Sequence, residues 1–566
     1  MSRKFLIIGG VAGGASTAAR LRRLSEEDQI IMFERGPHVS FSNCCLPYHL
    51  SGVVEEAENL VLMSPEKFLA QYNIEARVNN EVIAIDKDKK EVTVKNVLTG
   101  EEYKESYDKL MLSPGAKPIV PNIKGIEDVN VFTVRNVVDI DKLNNFVKAM
   151  ETKNVSVIGG GFIGIEVAEN LKEAGYNVTL IEAMPQVMKI FDYDMVQILH
   201  KELYDQGVNL IVGDKVSSFE KDTVVLESGK KVEAGAVVMA IGVTPETELA
   251  VKAGLELGVT GAIKVDQNYR TSNPDIYAVG DAIEVYNALT GKMMKLPLAG
   301  PAQKQAREAA DHMHGMLVKN TGYIGSSVIK CFDYNGASTG LTEGMIKALN
   351  LDINYEVVKV IPGDKVGLMP GCEPLHFKLL FEIPTGKILG AQAIGRGNVD
   401  KRVDIIATAI KFNAKIDDLR DLELCYAPPF GTAKDVVNFA GYVGSNLLRG
   451  AFKQVSESDV RDLVQSGAFI IDVREKDEYE LSHIKGALNI PLSELRERVN
   501  EIPKDKPVYL HCRSAQRSYN AVMALQHLGF TNVYNVSGGF MGISFYEYFN
   551  DQTTGREKIV TDYNFL

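Results

Sequence analysis

Apolar residues along this chain gather in short runs that close on glycine or on an acid, and most runs lead into a helical stretch. Lys4–Ile8 reads as a buried strand before Gly9-Gly10-Val11-Ala12-Gly13-Gly14. A helix is expected over Ala15–Leu24, then a strand over Ile30–Phe33 that ends in Glu34. The same order returns later. Asn154–Ile158 is a strand, Gly159-Gly160-Gly161-Phe162-Ile163-Gly164 opens a helix through Ala174, and Asn177–Ile181 ends in Glu182. Leu110–Pro114 is a strand running into Gly115-Ala116, and Ala240–Pro245 repeats that shape. Thr271–Asp281 reads as strand, glycine and acid. Beyond Val455 the pattern restarts, with strands over Ala468–Val473 and Pro507–His511, the second stopping at Cys512. Strands alternating with helices predict an α/β architecture.

The two glycine-rich stretches carry the first chemistry. A strand, a glycine turn, a helix and an acid at the end of the next strand form the dinucleotide-binding pattern. The backbone approaches a pyrophosphate at the helix N-terminus and the acid takes ribose hydroxyls. In the first unit Val11 stands where the second glycine of G-x-G-x-x-G belongs, so close approach rests on Gly10, Gly13 and Gly14. In the second unit the motif is intact at Gly159, Gly161 and Gly164. Glu182 repels a 2′-phosphate, and Ala183 and Met184 supply no arginine, so NADH is favoured over NADPH. Two loops imply two dinucleotides, and the economical chemistry runs from nicotinamide to flavin to an acceptor. Asp281 is a candidate for the flavin's ribityl and phosphate region.

The acceptor side is expected at Ser40–Tyr48, Ser-Phe-Ser-Asn-Cys-Cys-Leu-Pro-Tyr, which holds two of the six cysteines. A working cysteine acts as its thiolate. No Cys-x-x-Cys pair suggests zinc, and no metal site is expected. At 566 residues the chain predicts about three to four domains. A net charge of −12 argues against a nucleic-acid partner. The apolar run after Met1 is too short for a signal-peptide core, and no run approaches the ~20 residues of a membrane helix. A cytoplasmic protein is expected, with no membrane partner.

These segments resemble the pyridine nucleotide–disulfide oxidoreductases over about residues 1–446. Ser40–Cys44 followed by Leu46-Pro47-Tyr48, Gly9–Gly14 and Tyr426-Ala427-Pro428-Pro429 are similar to the coenzyme A disulfide reductase branch. The resemblance implies an FAD-binding domain from 1–118 and 248–320, an NAD-binding domain over 119–247 and an α+β dimerisation domain over 322–446. It implies a homodimer and one redox cysteine, Cys44. The cofactor residues it implies are Gly9, Gly10, Ala12, Gly13, Gly14, Glu34, Arg35, Asn43, Val82, Ser113, Pro114, Gly115, Gly280 and Asp281. To these it adds Gly159, Gly161, Phe162, Ile163, Gly164, Glu182 and Gly242. Coenzyme A maps onto Arg20, Arg23, Ser40 and Asn43, and Arg20 and Arg23 share one helix face at i, i+3. Of the two tyrosines the branch brings from the partner subunit, Tyr426 matches one; Met369 stands at the other. Cys45, Cys372 and Cys425 fall beside these motifs, and a resolving thiol at Cys372 or Cys425 is one reading of them. An adjacent Cys44–Cys45 disulfide would be strained, because neighbouring Cα atoms lie only ~3.8 Å apart.

After a joint at Leu447–Gln454, the segment 455–555 resembles a rhodanese domain. Cys512-Arg513-Ser514-Ala515-Gln516-Arg517 is a six-residue loop between a strand and a helix, a built anion nest for a thiolate. Cys512, Arg513 and Arg517 are its candidate working residues, and Asp472 and Arg474 are expected to brace the fold. The combined reading is an NADH-dependent flavoprotein reductase of persulfide, polysulfide or coenzyme A disulfide bonds, with sulfane sulfur relayed at Cys512. Its small-molecule substrates would then be sulfur compounds. The competing readings are an NADH oxidase or peroxidase using a Cys44 sulfenate, and a persulfide carrier or redox sensor.

Overall fold

The computed structural model describes residues 2–566. The chain divides into two compact units, one of residues 1–185 and 211–323, the other of 186–210 and 324–566.

The first unit holds the two glycine loops. Its first sheet runs Ile276–Ala278, Lys109–Leu112, Lys4–Ile8, Gln29–Phe33, Glu75–Arg77, with every pair parallel. Four of the five residues of Lys4–Ile8 are buried, as a strand covered on both faces requires. The second sheet is ordered Asn209–Val212, Asn177–Glu182, Asn154–Ile158, Ala236–Met239, Val131–Phe132. Lys4–Ile8 and Asn154–Ile158 are central in their sheets, so both loops leave from the middle of a sheet. The helix after the first loop spans Ala12–Leu24, three residues longer at its start than the sequence suggests. Val11 is its N-cap with φ −109°, and Gly161 holds the same place in the second loop with φ −83°. Neither φ needs glycine, so a side chain at position 11 is compatible with the turn.

The second unit contains an antiparallel sheet ordered Ser326–Cys331, Tyr334–Gly340, Ile388–Gly395, Leu375–Glu382, Tyr355–Val360. It also contains a parallel sheet ordered Gln454–Val455, Val533–Val536, Val508–His511, Phe469–Asp472, Leu488–Asn489. The helix Tyr193–Asp205 belongs here too. The expected joint is not a loose linker. The helix before it runs to Leu448, and Phe452 is buried in the core of the parallel-sheet module. A second core cluster of the module takes in Ile559 and Val560 together with Ile484 and Phe540, past the expected end at 555.

A cluster of buried charges ties these parts together. Lys378 Nζ donates to Asp194 Oδ1 at 2.9 Å and to Glu343 Oε2 at 2.6 Å. Lys359 Nζ donates to Asp194 Oδ2 at 2.8 Å and also pairs with Glu457. Burial opposes ionisation of Asp194, yet the two ammonium groups outweigh it and hold the carboxyl well below its usual range. Glu457 is 1% exposed, and Lys359 is the cation it pairs with. Lys359→Met leaves a buried carboxylate uncompensated and should destabilise the second unit by about 3–5 kcal/mol, read as a lowered urea midpoint. An unchanged midpoint would show that the pair contributes nothing.

Candidate active site

The first glycine loop is built by close contact. A Cβ on Gly14 would overlap the Gly9 carbonyl oxygen, and one on Gly9 would overlap Ser113 O. In the second loop a Cβ on Gly164 would overlap the Gly159 carbonyl in the same way, while at Gly161 nothing lies within 4 Å. The helix therefore starts tight against its strand, and the loop keeps an open face for a phosphate. The two acids act alike. Glu34 Oε2 accepts from Gly10 N–H at 3.0 Å and Oε1 from Gly36 N–H at 2.9 Å. Glu182 Oε2 accepts from Gly160 N–H at 2.7 Å and Oε1 from Met184 N–H at 2.8 Å. Each carboxylate is fixed beside its loop with lone pairs left for ribose hydroxyls.

One long cleft in the first unit brings together Gly9, Gly10, Ala12, Gly13, Glu34, Arg35, Asn43, Val82, Ser113, Pro114, Gly115, Gly280 and Asp281. Gly14 lies beneath it, in the helix–strand contact. Asn43 Oδ1 is buried without a hydrogen-bond partner, an acceptor awaiting a donor from a bound molecule. Gly280 N–H is held by Gln305 Oε1 at 2.7 Å. Burial pushes the Asp281 carboxyl up, and Arg135 partly offsets it. Arg135 also lines the cleft and stands against Gly115. It was missed from sequence, where Thr-Val-Arg-Asn carries no motif. Arg35 pairs with Glu246 at 2.8 Å. The glycine loop, Glu34 and the unpartnered Asn43 acceptor in this cleft fit FAD. Phe162, Ile163 and Gly164 open the second helix, and Gly242 has φ +123°, a conformation suited to glycine.

Cys44 follows Asn43, which lines the cleft, in a one-turn 3₁₀ segment Asn43–Cys45. Its side chain is exposed and both Cys44 and Cys45 are free thiols. Buried Leu46, Pro47 and His49 anchor the turn from below. His49 is braced at both ring nitrogens, by Val54 O and by Asn144 Nδ2, each at 2.8 Å. Ser51 Oγ donates to Asn170 Oδ1 at 2.5 Å, fastening the turn to the helix Phe162–Glu173. Glu166 on that helix is raised to about 7, by burial first and then by repulsion from Glu169. Partial burial, Glu166, Cys45 and Asp281 together push the Cys44 thiol up. A group titrating near neutrality beside a thiol can hold or release a proton for it.

A second cavity collects Arg20, Arg23 and Ser40, joined by Arg307, Gln303 and Tyr72. Asn43 lines the FAD cleft instead. Arg20 Nε pairs with Asp311 at 2.5 Å. Arg22, between them, is buried and donates to the carbonyls of Tyr72, Ser25, Asp28 and Asn73, so it is structural. Arg307 was missed because its helix, Ala299–Met313, reads only as amphipathic.

In the second unit, Tyr426 is 49% exposed on an irregular segment. Cys425 is exposed and Cys372 donates to Lys365 O at 3.2 Å. Cys512 ends the strand Val508–His511 and is 1% exposed. Ser518 Oγ donates to its sulfur at 3.7 Å. Ala515 takes φ +71° at the turn into the helix Gln516–His527, an uncommon conformation for a residue with a Cβ. Arg474 grips Asp472 and the Ser482 carbonyl in the buried interior, which makes both structural.

The family model for pyridine nucleotide-disulphide oxidoreductases matches residues 3–306, and that family's dimerisation-domain model matches 326–436. A rhodanese-like domain model matches 456–544. The chain belongs to the pyridine nucleotide-disulphide oxidoreductase family and carries a rhodanese-like domain at residues 456–544. Among solved structures it is similar to reduced Bacillus anthracis CoADR-RHD, at 47% identity and TM-score 0.93 over 96% of this chain and 98% of that one. It is similar to a NAD-dependent persulfide reductase from A. fulgidus, at 34% identity and TM-score 0.89 over 95% and 99%. Coenzyme A disulfide reductase of Staphylococcus aureus strain JH9 is 34% identical over 440 residues, 78% of this chain and 99% of that protein.

If Glu166 holds the Cys44 thiol up electrostatically, Glu166→Gln removes a negative charge and the thiol's midpoint must fall. Alkylation of Cys44 followed against pH should show the curve moved to lower pH in the variant holoenzyme. Superimposable curves would remove Glu166 from the account.

Proposed function

We propose that the chain is an NADH-dependent flavoprotein reductase of S–S bonds in persulfides and coenzyme A disulfides, with Cys44 as its redox thiol. The observation that carries this reading is an exposed thiol next to Asn43 in a cleft lined by all of the expected FAD set but Gly14, on a segment fastened to the helix of the second nucleotide loop. FAD at the first loop and NADH at the second, when bound, supply the electron pair. Glu182 selects the unphosphorylated ribose of NADH. Arg20, Arg23 and Arg307 hold the phosphates of a coenzyme A substrate, with Ser40 at the rim of the same cavity. The Cys44 thiolate attacks the coenzyme A sulfur of the persulfide, the S–S bond breaks, and hydrosulfide leaves with the electron pair.

Residues 1–118 with 248–320 form the FAD domain in this reading, 119–247 the NAD domain, 322–446 the dimerisation domain and 455–555 the rhodanese module. The working form is a homodimer in the cytoplasm. Among the described residues no helix is long and apolar enough to cross a membrane. Leu368 at 89% exposure, Phe430 at 66% and Tyr426 form an apolar face suited to a second copy. There Tyr426 would present its phenol toward the partner's Cys44. In the C-terminal module Cys512 carries sulfane sulfur as a persulfide, held by the loop amides between Arg513 and Arg517.

Steady-state NADH consumption by the purified holoenzyme tests the reading against coenzyme A persulfide, coenzyme A disulfide, oxygen and peroxide. Persulfide and disulfide should be preferred, and Cys44→Ser should lower kcat/KM by ~100-fold or more. Cys512→Ser should leave turnover of free coenzyme A persulfide in place. Preference for oxygen or peroxide, or activity that survives Cys44→Ser, would contradict it.

A further inference from the structure

The rhodanese loop presents two cations that a small anionic donor would be expected to meet, and the most prominent is matched by an acid from outside the loop. Arg517 Nη1 donates to Glu478 Oε2 at 2.6 Å and Nη2 to Glu478 Oε1 at 2.7 Å. This is a two-pronged guanidinium–carboxylate pair, the strongest geometry open to an arginine. Glu478 is itself held in place. It lies in the first turn of the helix Lys476–Leu481, where Oε2 also accepts from Glu475 N–H at 3.2 Å. Its bond to Arg517 keeps its carboxyl below the usual range, so it stays ionised. Arg513 Nε donates to Leu566 O at 2.7 Å, and Arg474 is taken up by Asp472.

We propose that Glu478 is the specificity-determining residue of the C-terminal sulfur site, turning it away from small dianionic donors and toward persulfides carried on a thiol. The proposal rests on the reading of Cys512 as a sulfur-carrying thiol. Its chemistry follows from the leaving groups. With thiosulfate, Cys512 thiolate attacks the sulfane sulfur, a Cys512 S–S bond forms, the donor's S–S bond breaks and sulfite departs as a dianion. That departure needs an unpaired cation beside the loop amides. With an organic persulfide R–S–SH, the same attack on the outer sulfur releases R–S⁻ with the electron pair, and the proton stays on the transferred sulfur. A single negative charge leaves, and the amide nest suffices for it. Glu478 touches neither reactant and works through Arg517, so it is a positioning residue.

The test compares thiosulfate with coenzyme A persulfide as donors to the full-length holoenzyme, with cyanide as acceptor and thiocyanate as readout. In the wild-type protein kcat/KM for the persulfide should exceed that for thiosulfate by ~100-fold or more, and Glu478→Gln should shrink that ratio by ~10-fold or more. Raising salt from about 50 to about 500 mM should change wild-type thiosulfate turnover by less than ~3-fold, because its cation is already neutralised. The Gln variant should acquire a steep salt dependence. A purely structural Glu478 would move neither the donor ratio nor the salt slope. An unchanged ratio in Glu478→Gln, or steep salt dependence in the wild type, overturns the proposal; the wild-type salt series decides it even where the variant fails to fold. Mass spectrometry of Cys512 separates the two levels. A persulfide on Cys512 with an unchanged donor ratio defeats the role of Glu478 alone, whereas no persulfide from either donor defeats the reading of Cys512 as well.

Discussion

The surroundings of Cys44 hang from the backbone of the first glycine loop. Gly14 packs so closely on Gly9 that no side chain fits between them, and this fixes the helix start beneath the central strand. The same loop then holds the chain that follows the acid. Gly10 O accepts from Ser40 N–H at 2.7 Å and Ser40 O from Leu62 N–H at 2.8 Å. Ser40 adopts φ +48° to do this, an uncommon conformation for a residue with a Cβ. Four residues on comes Cys44, next to the cleft-lining Asn43. The first glycine loop, the cavity of Arg20, Arg23 and Ser40, and the cysteine are thus linked by one run of backbone contacts.

Electrostatics are arranged locally against an acidic background. The chain carries a net charge of −12, and burial followed by Glu166, Cys45 and Asp281 pushes the Cys44 thiol up. Cations are placed where phosphates are expected, at Arg20, Arg23 and Arg307. Elsewhere several buried charges are matched by partners. Arg22 satisfies four backbone carbonyls, and Lys359 with Lys378 balances the acids beneath the antiparallel sheet. The half-buried Arg517–Glu478 pair is matched in the same way at the loop after Cys512.

Much of this was legible in the sequence wherever backbone geometry forces a residue type. Lys4–Ile8 and Asn154–Ile158 were read to the residue, because a buried strand that must turn at glycine leaves a sharp signature. The acids Glu34 and Glu182 followed from strand ends. The first helix began earlier than read, since Gly13 and Gly14 are poor markers of helix yet lie within it. Residues placed by tertiary packing alone escaped: Arg135, Arg307 and Gln305 come from distant helices and loops with no motif of their own. Glu166 and Glu478 were also missed. Each sits at an ordinary surface position in its helical pattern, and only the fold sets one beside Cys44 and the other on Arg517. The packed joint at Phe452 was hidden because a short polar–apolar mixture reads as a linker.

The most direct measurement is mass spectrometry of the oxidised holoenzyme incubated without NADH with coenzyme A persulfide. The account predicts a coenzyme A adduct on Cys44 that disappears when NADH is added. An adduct located at another cysteine, or one on Cys44 that NADH leaves untouched, would contradict it.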